Sequence, residues 1–366
     1  MIPSQLAAPG GSLCWRAEEW RSYHPPVFLD ARHHRVFCER YRLDPRRPDY
    51  RYSVPPATLR RLDGHYGLGR ELTLFDADGR LLADSVPIER RVHEAGVCEA
   101  LEQRFAACAG RIRAVDGEPI LLASTPWPDN YYHFLFEAVP RLIDGQARLG
   151  RPDLRAAIPH TLPFQRQLLD LLGIDRAGLL PTWDGATRYA TAFLPSRPSH
   201  SDAISAEVAA LLRGRLLPAP SAATSPRRRL YVSRADSPSR PVVNEDAVMA
   251  ALARLGFAAV RPGELTVAEQ IRLFAEAEIV IGPHGAGLTN AVFCPPGALL
   301  VDLLPDRRVK FPYLFVANAA GLDYSFLLCP TDPEDFATEV PIELVLDLLA
   351  RLFDWRARTG RPFETR

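Results

Sequence analysis

Lysine is nearly absent from this 366-residue chain: Lys310 is the only one, so almost all of the 44 basic residues are arginine. Net charge is absent too, because 44 Asp and Glu balance them, which excludes a nucleic-acid binder that depends on a basic face. The six cysteines (Cys14, Cys38, Cys98, Cys108, Cys294, Cys329) contain no C-x-x-C pair and form no cluster with histidine at zinc-site spacing. That argues against a disulfide framework or a structural metal and for reduced thiols in a cytoplasmic protein. No apolar run approaches the ~18–20 residues of a membrane span, and the N-terminus has neither the basic start nor the apolar stretch of a signal peptide. Any membrane role is therefore expected to be peripheral, at the inner face. Walker A and G-x-G-x-x-G patterns are both missing.

What is present is 34 prolines and 47% hydrophobic residues, ample for two cores at ~100–200 residues per domain. The arginine bias fits a GC-rich coding preference, yet it leaves the chain with positive charges that are nearly all planar forks suited to carboxylate and phosphate.

From Tyr50 to about Val92, short alternating apolar runs are broken by turn residues, and Asp76-Ala77-Asp78-Gly79 reads as a hairpin turn. The same letters spell D-x-D, with which some sugar-transferring enzymes hold a metal on a nucleotide diphosphate. Asp-Gly is a turn signal in its own right, so no metal ligand is assigned. A strand-like Leu121–Ser124 leads through Pro126-Trp127-Pro128 into a helix, with helical stretches to about Gly173. Residues 217–228 are rich in Pro, Ala and Ser without apolar periodicity, which marks a linker between an N-terminal domain (1–216) and a C-terminal domain (229–330). The amphipathic end of the chain (331–366) is expected to pack across either domain, including by crossing back to the first.

Beyond the linker the pattern becomes regular. Leu230–Ser233, Ala258–Arg261, Ile279–Gly282 and Leu299–Leu304 read as buried strands; a helix begins at an Asn244 cap, and another at the capping box Thr266-x-x-Glu269. Strands and helices alternating this way predict a parallel sheet in a doubly wound α/β domain.

Two clusters carry chemistry. Gly282-Pro-His284-Gly285-Ala286-Gly287-Leu288-Thr289-Asn290 lies between a buried strand and a helix start, where backbone N–H groups can meet a diphosphate. Ser233-Arg234 ends the first strand of the same predicted sheet, and an arginine fork suits that ligand. The plain alternatives are a tight turn and an Arg234–Asp236 surface pair. In the second cluster, Asn130-Tyr131-Tyr132 precede His133, Glu137 and Arg141 at i, i+4 and i+8 of a largely apolar helix that Pro140 can kink. A histidine held by a carboxylate is a general base near neutral pH. Tyrosines and an asparagine at the helix entrance suit a sugar acceptor, as does Arg141. The alternative is a Glu137–Arg141 pair beside a core histidine.

These residues together resemble glycosyltransferase family 61: Asn130–His133 with Glu137 and Pro140-Arg141-Leu142, Ser233-Arg234, Asn244-Glu245-Asp246, Gly282–Asn290, and Pro295-Pro296-Gly297. They span about half the chain. Phe134 stands where Trp is frequent and Asp302 where Glu is usual. The resemblance implies a GT-B architecture, two Rossmann-like doubly wound domains facing across a cleft, here with extra β-hairpins near the N-terminus. It implies inverting, metal-independent transfer from a nucleotide sugar, a UDP-sugar foremost, to a glycan or lipid-linked glycan, as in bacterial capsule, exopolysaccharide or lipopolysaccharide assembly. His133 with Glu137 would be catalytic, and Ser233, Arg234 and His284–Asn290 would hold the donor. Asn130, Tyr131, Tyr132 and Arg141 would hold the acceptor, with His284 as the alternative catalytic histidine. Donor binding without transfer, in an assembly complex, and nucleotide-sugar epimerisation are the rival expectations.

Overall fold

The computed structural model describes residues 3–8, 10–87, 94–197, 204–217, 228–237 and 239–359, and its chain divides into two units. Unit 1 comprises Met1–Glu19 and Val54–His200; unit 2 comprises Trp20–Ser53 and Ser201–Arg366.

The apolar runs beyond Arg228 become five parallel strands in unit 2. Their spatial order is Phe257–Val260, Arg228–Val232, Ala277–Pro283, Leu299–Pro305 and Asp323–Cys329, so the second strand in sequence lies outside the first. This is a doubly wound order, and its topological switch falls between Arg228–Val232 and Ala277–Pro283. The capping box at Thr266 forms as expected: its N–H donates to Glu269 Oε2 at 2.8 Å and its Oγ1 accepts from Glu269 N at 3.3 Å. Asn244 precedes its helix but does not cap it with its side chain. Its amide instead clamps the backbone of Val340 in both directions, at 2.8 and 3.0 Å.

Two segments join this unit that the sequence assigns to the N-terminal domain. Trp20–Ser53 brings the helix Ala31–Tyr41, whose aromatic side chains mesh with the unit's own: Phe37 meets Phe311, and Tyr23 meets Phe315. The helix Ala206–Leu216 is tied in by Arg213, which donates to the carbonyls of Val292 and Cys294 at 2.7 Å each, and by Glu207, which accepts a fork from Arg21. Most of the expected linker lies outside the described residues. The last helix, Ile342–Thr359, buries Val345, Leu348, Leu349 and Leu352 in the core of unit 2. That spacing is one helical face, and it closes this unit's core where the sequence left crossing back to the N-terminal domain as an expectation.

Unit 1 is a mixed α/β body built on two sheets. Four short strands, Thr191–Pro195, Ile120–Leu122, Ala156–Ala157 and Leu179–Leu180, are parallel. Ala57–Asp63 and Ser12–Arg16 extend that sheet antiparallel. A second, four-stranded sheet contains the hairpin Tyr66–Leu68/Thr73–Phe75 together with Ala186–Tyr189 and Arg113–Val115. Only Ala190 separates Ala186–Tyr189 from Thr191–Pro195, so the chain steps directly from the second sheet into the first. The Asp76–Gly79 segment is a turn: Gly79 N and Asp76 Oδ1 take part in its closing bonds, and Phe75 bridges Leu81 across it.

Gly282 ends the strand at the switch point, where a Cβ would lie 2.7 Å from the Val232 carbonyl oxygen on the adjacent strand. Backbone cannot yield as a side chain can, so Gly282→Ala should lower the unfolding free energy by about 1–3 kcal/mol, the usual cost of overpacking. Chemical denaturation of the two proteins measures this directly.

Candidate active site

Among the described residues three histidines are anchored to carboxylates, and their second ring nitrogens separate them. His33 is buried, donates from Nδ1 to Asp30 Oδ1 at 2.8 Å, and accepts the Leu328 N–H at Nε2, 3.3 Å away. Both its nitrogens are committed, so it is a structural residue. His133 and His284 each hold a buried carboxylate through Nδ1, and among the described residues neither Nε2 has a protein hydrogen-bond partner.

In unit 1, His133 Nδ1 lies 2.6 Å from Glu137 Oε1, and the Thr125 hydroxyl donates to Glu137 Oε2, also at 2.6 Å. The Glu137 side chain is 1% exposed and that of His133 13%, so the carboxylate is sealed while the ring reaches solvent. The local backbone explains the pairing. Pro140 has no N–H, and its ring would crowd the carbonyl one turn back in a regular helix. The chain responds with a π-helical turn over Phe134–Ala138, closed by the Val139 N–H on the Phe134 carbonyl, between the helical segments Tyr131–His133 and Val139–Leu149. Such single wide turns occur at functional sites. The expected kink thus takes this form, and Glu137 lies within it. Trp127 covers the His133 ring at 4.5 Å between centroids.

The other residues expected on the acceptor side divide. Asn130 accepts the Tyr132 N–H at 2.9 Å, which makes it a helix cap. Tyr132 is buried edge-on against Phe136, whereas Tyr131 is half-buried beside Phe164. Arg141 does not form an ion pair with Glu137: it donates from Nε and Nη2 to the Pro195 carbonyl at 2.9 and 2.7 Å, and from Nη1 to that of Ser124.

In unit 2, Ser233-Arg234 and His284-Gly285 follow the two strands that flank the topological switch, the place where open α/β sheets bind ligands. A Cβ on Gly285 would fall 1.8 Å from Arg234 Nη1, so the missing side chain is what lets the guanidinium lie against the loop. Gly287 has a different task, leaving room for Val232 Cγ1. Arg234 Nη1 donates to the His284 carbonyl at 3.3 Å, and Nη2 reaches Ser237 Oγ and the Ser239 carbonyl, each at 2.9 Å. Its Nε is buried with no hydrogen-bond partner among the described residues. Asp236, the alternative partner, accepts instead from the Gly263 N–H at 2.8 Å.

His284 Nδ1 lies 3.0 Å from Asp302 Oδ2, which also accepts from the Tyr324 hydroxyl at 3.2 Å. Burial, then the Asp302 charge, pushes the Tyr324 phenol up, which keeps it a donor. The loop runs into a 3₁₀ helix, Ala286–Phe293, whose Leu288 N–H already bonds to the Gly285 carbonyl; Ala286 and Gly287 open the helix ahead of that bond. Thr289 and Asn290 are fully buried, and Asn290 Nδ2 donates to Gln270 Oε1 at 2.7 Å. These two belong to the core, so the expected donor set narrows to Ser233, Arg234 and His284–Gly287.

Sequence reasoning missed several members. Asp302 interrupts the wholly apolar, wholly buried strand Leu299–Pro305, and a lone carboxylate in such a run was the available signal. Arg240 and Arg308 carried none: Arg240 is near enough to Arg234 and Arg308 that, after burial, their charges push it down to about 10. Its φ of 55° is one that few non-glycine residues adopt. The charges of Arg234 and Arg308 are thus both felt at Arg240, and the Ser233 hydroxyl beside Arg234 accepts the Ala235 N–H at 3.1 Å. Among the described residues, no group of three or more His, Cys, Asp and Glu side chains is placed to hold a metal ion.

Burial alone would raise the Glu137 carboxyl, but hydrogen bonds from His133 and Thr125 and the charges of His133 and Arg197 hold it below its ordinary value. Its stabilisation is therefore complete above the unfolded-state value of ~4.3 and is lost as pH falls through the lower folded-state value. The Tm advantage of the wild type over Glu137→Gln should shrink below about pH 4. An advantage unchanged at about pH 3 would mean that the folded carboxyl is not the stabilised anion.

Residues 131–301, which include His133 and His284, match the family model described as Glycosyltransferase 61. The chain is 31% identical over 93 residues to the xylan glycosyltransferase MUCI21 of Arabidopsis thaliana, covering 24% of this chain and 19% of that protein. It is 38% identical over 85 residues to the beta-1,2-xylosyltransferase XAX1 of Oryza sativa subsp. japonica, covering 21% and 14%. It is also 30% identical over 107 residues to the protein O-linked-mannose beta-1,4-N-acetylglucosaminyltransferase 2 of Bos taurus, covering 27% and 18%. The matched segments thus span about a fifth or less of these relatives.

Proposed function

The chain belongs to glycosyltransferase family 61 through residues 131–301, and on that premise we propose that it is an inverting glycosyltransferase of the GT-B type that moves a sugar from a nucleoside-diphosphate donor to a glycan hydroxyl. The observation that carries the catalytic assignment is the His133 ring, fixed at Nδ1 by a sealed carboxylate and with no Nε2 partner among the described residues. In this reading Nε2 takes the proton of the acceptor hydroxyl. The freed oxygen forms the new bond to the anomeric carbon as the bond to the diphosphate oxygen breaks, and the diphosphate leaves with the electron pair. Glu137 fixes the ring and stabilises the imidazolium that forms.

Unit 2 supplies the electrostatics. Arg234, with Arg240 and Arg308 nearby, and the N–H groups opening the 3₁₀ helix would receive the negative charge that develops on the leaving group. His284, held by Asp302, would offer the diphosphate a further donor. With the guanidinium groups of Arg234, Arg240 and Arg308 available, turnover is proposed not to require a divalent cation, and activity in excess chelator should equal that in Mg²⁺ or Mn²⁺. UDP is the proposed nucleotide. The proposed setting, bacterial capsule, exopolysaccharide or lipopolysaccharide assembly at the cytoplasmic membrane face, rests on the family resemblance.

Loss of a general base lowers rate by ~10²–10⁴. His133→Ala should therefore abolish most turnover while the Kd for UDP, measured by calorimetry, stays nearly unchanged. Weakened UDP binding with turnover retained would remove His133 from the role. Arg234→Ala should weaken UDP by about 1.5–3 kcal/mol, the worth of a charge-assisted hydrogen bond. Gly285→Ala should move it the same way, since the new methyl group displaces the guanidinium. His284→Ala serves as the control for the second reading, in which His284 is the base: that assignment requires it, and not His133→Ala, to abolish turnover at unchanged UDP affinity.

A further inference from the structure

Unit 1 contains a half-open cavity of about 530 Å³, within the ~300–1,000 Å³ typical of small-molecule sites. Ser124 and Pro126, on either side of the hydroxyl that donates to Glu137, form part of its wall. Leu72, Leu74 and Leu122 line another part, and three guanidinium groups, Arg60, Arg141 and Arg197, also face it. The one carboxylate in the lining, Glu71, is engaged by Arg104 at 2.7 Å. Glu137 is engaged by His133 and Thr125.

The charges of Arg141 and Arg197 are thus poorly compensated. Arg141 spends its donors on the carbonyls of Ser124 and Pro195, which satisfy its hydrogen bonds without neutralising its charge. Loss of hydration, and then the like charge of Arg197, push the Arg141 guanidinium down, while Glu137 only partly opposes them. Arg197 itself makes no hydrogen bond or ion pair that the described residues record, although its charge is felt at both Glu137 and Arg141. A partly dehydrated cation group with room beside it and hydroxyls of Thr58, Ser85 and Ser196 on the lining is complementary to an anion carried on a polar ring.

We infer that this cavity is an anion subsite for the acceptor: it takes a sugar bearing a carboxylate or a phosphate, whose negative group sits between Arg197 and Arg141. The inference rests on reading unit 1 as the acceptor side. It assigns the acceptor a chemical class, an acidic sugar, that the transfer reaction itself does not require.

Calorimetric titration of the full chain with glucuronate, glucose 6-phosphate and glucose tests this, with UDP titrated in parallel. Saturable binding of glucuronate or of glucose 6-phosphate, at least ~tenfold tighter than glucose, is expected, and the tighter of the two identifies the anion as carboxylate or phosphate. Arg197→Gln should weaken that binding by about tenfold or more, and Arg197→Lys should restore part of it, because charge returns without the fork. UDP affinity should be the same in all three proteins, which also establishes that the variants are folded. Equal affinity for glucose and both anions, no binding of either anion, or anion binding indifferent to Arg197→Gln would each overturn the subsite. Failure of UDP alone to bind would count against the donor assignment and leave the subsite standing.

Discussion

A carboxylate cut off from water must receive its hydrogen bonds from the protein, and this constraint organises both candidate sites. Glu137 and Asp302 are 1% and 0% exposed, and each is satisfied by one imidazole and one hydroxyl: His133 with Thr125, and His284 with Tyr324. Leaving such a charge unpaired would cost several kcal/mol, so the ring that pairs with it is not free to turn. What the carboxylate gains in compensation, the imidazole gains in orientation: Nδ1 faces inward and Nε2 is presented outward. The surrounding aromatic packing, Trp127 over one ring and Tyr313 against the other, completes the restraint.

Close approach is the second constraint, and it explains why glycines and one arginine come together at the switch point of unit 2. Gly282 and Gly287 admit Val232, which lets the strand ends pack at backbone distance; Gly285 admits Arg234. Together they place the guanidinium at the end of the parallel sheet, next to a helix start. The Tyr313 hydroxyl donating to the Gly285 carbonyl fixes the loop from the other side.

Legibility in the sequence followed the range of the forces involved. The capping box at Thr266, the turn at Asp76–Gly79 and the buried strands of unit 2 are set by residues close in the chain, and they formed where their local chemistry indicated. The His133–Glu137 pair was legible for the same reason, being one turn apart. Its π-helical turn was not, because Pro140 signals a disturbance without specifying its form. Joining of Trp20–Ser53 to unit 2 depends on aromatic contacts almost 300 residues apart, such as Tyr23 with Phe315, which no local pattern announces. Thr289 and Asn290 looked like ligand groups because they are polar and follow a glycine loop. Their burial against the neighbouring helix, with Asn290 paired to Gln270, is a tertiary fact. Asp302 was visible as an oddity in an apolar strand, but its partner is 18 residues away, across a sheet and a loop.

The near-absence of lysine takes on a local meaning in this setting. A lysine ammonium is a strongly hydrated point charge, and gathering three of them would require each to keep its own water. Guanidinium groups are less hydrated and flat, and they can satisfy their donors on neutral oxygens while their charge remains uncompensated. Arg234 does this with Ser237, Ser239 and His284, and Arg141 with Ser124 and Pro195. Positive potential can therefore be stored in partly buried places before any ligand arrives, held by hydrogen bonds that do not cancel it. A chain with 44 charges of each sign needs no net field to attract an anion if its cations are arranged in this way. The selectivity of such a place comes from geometry at short range, where the fork meets two oxygens at once.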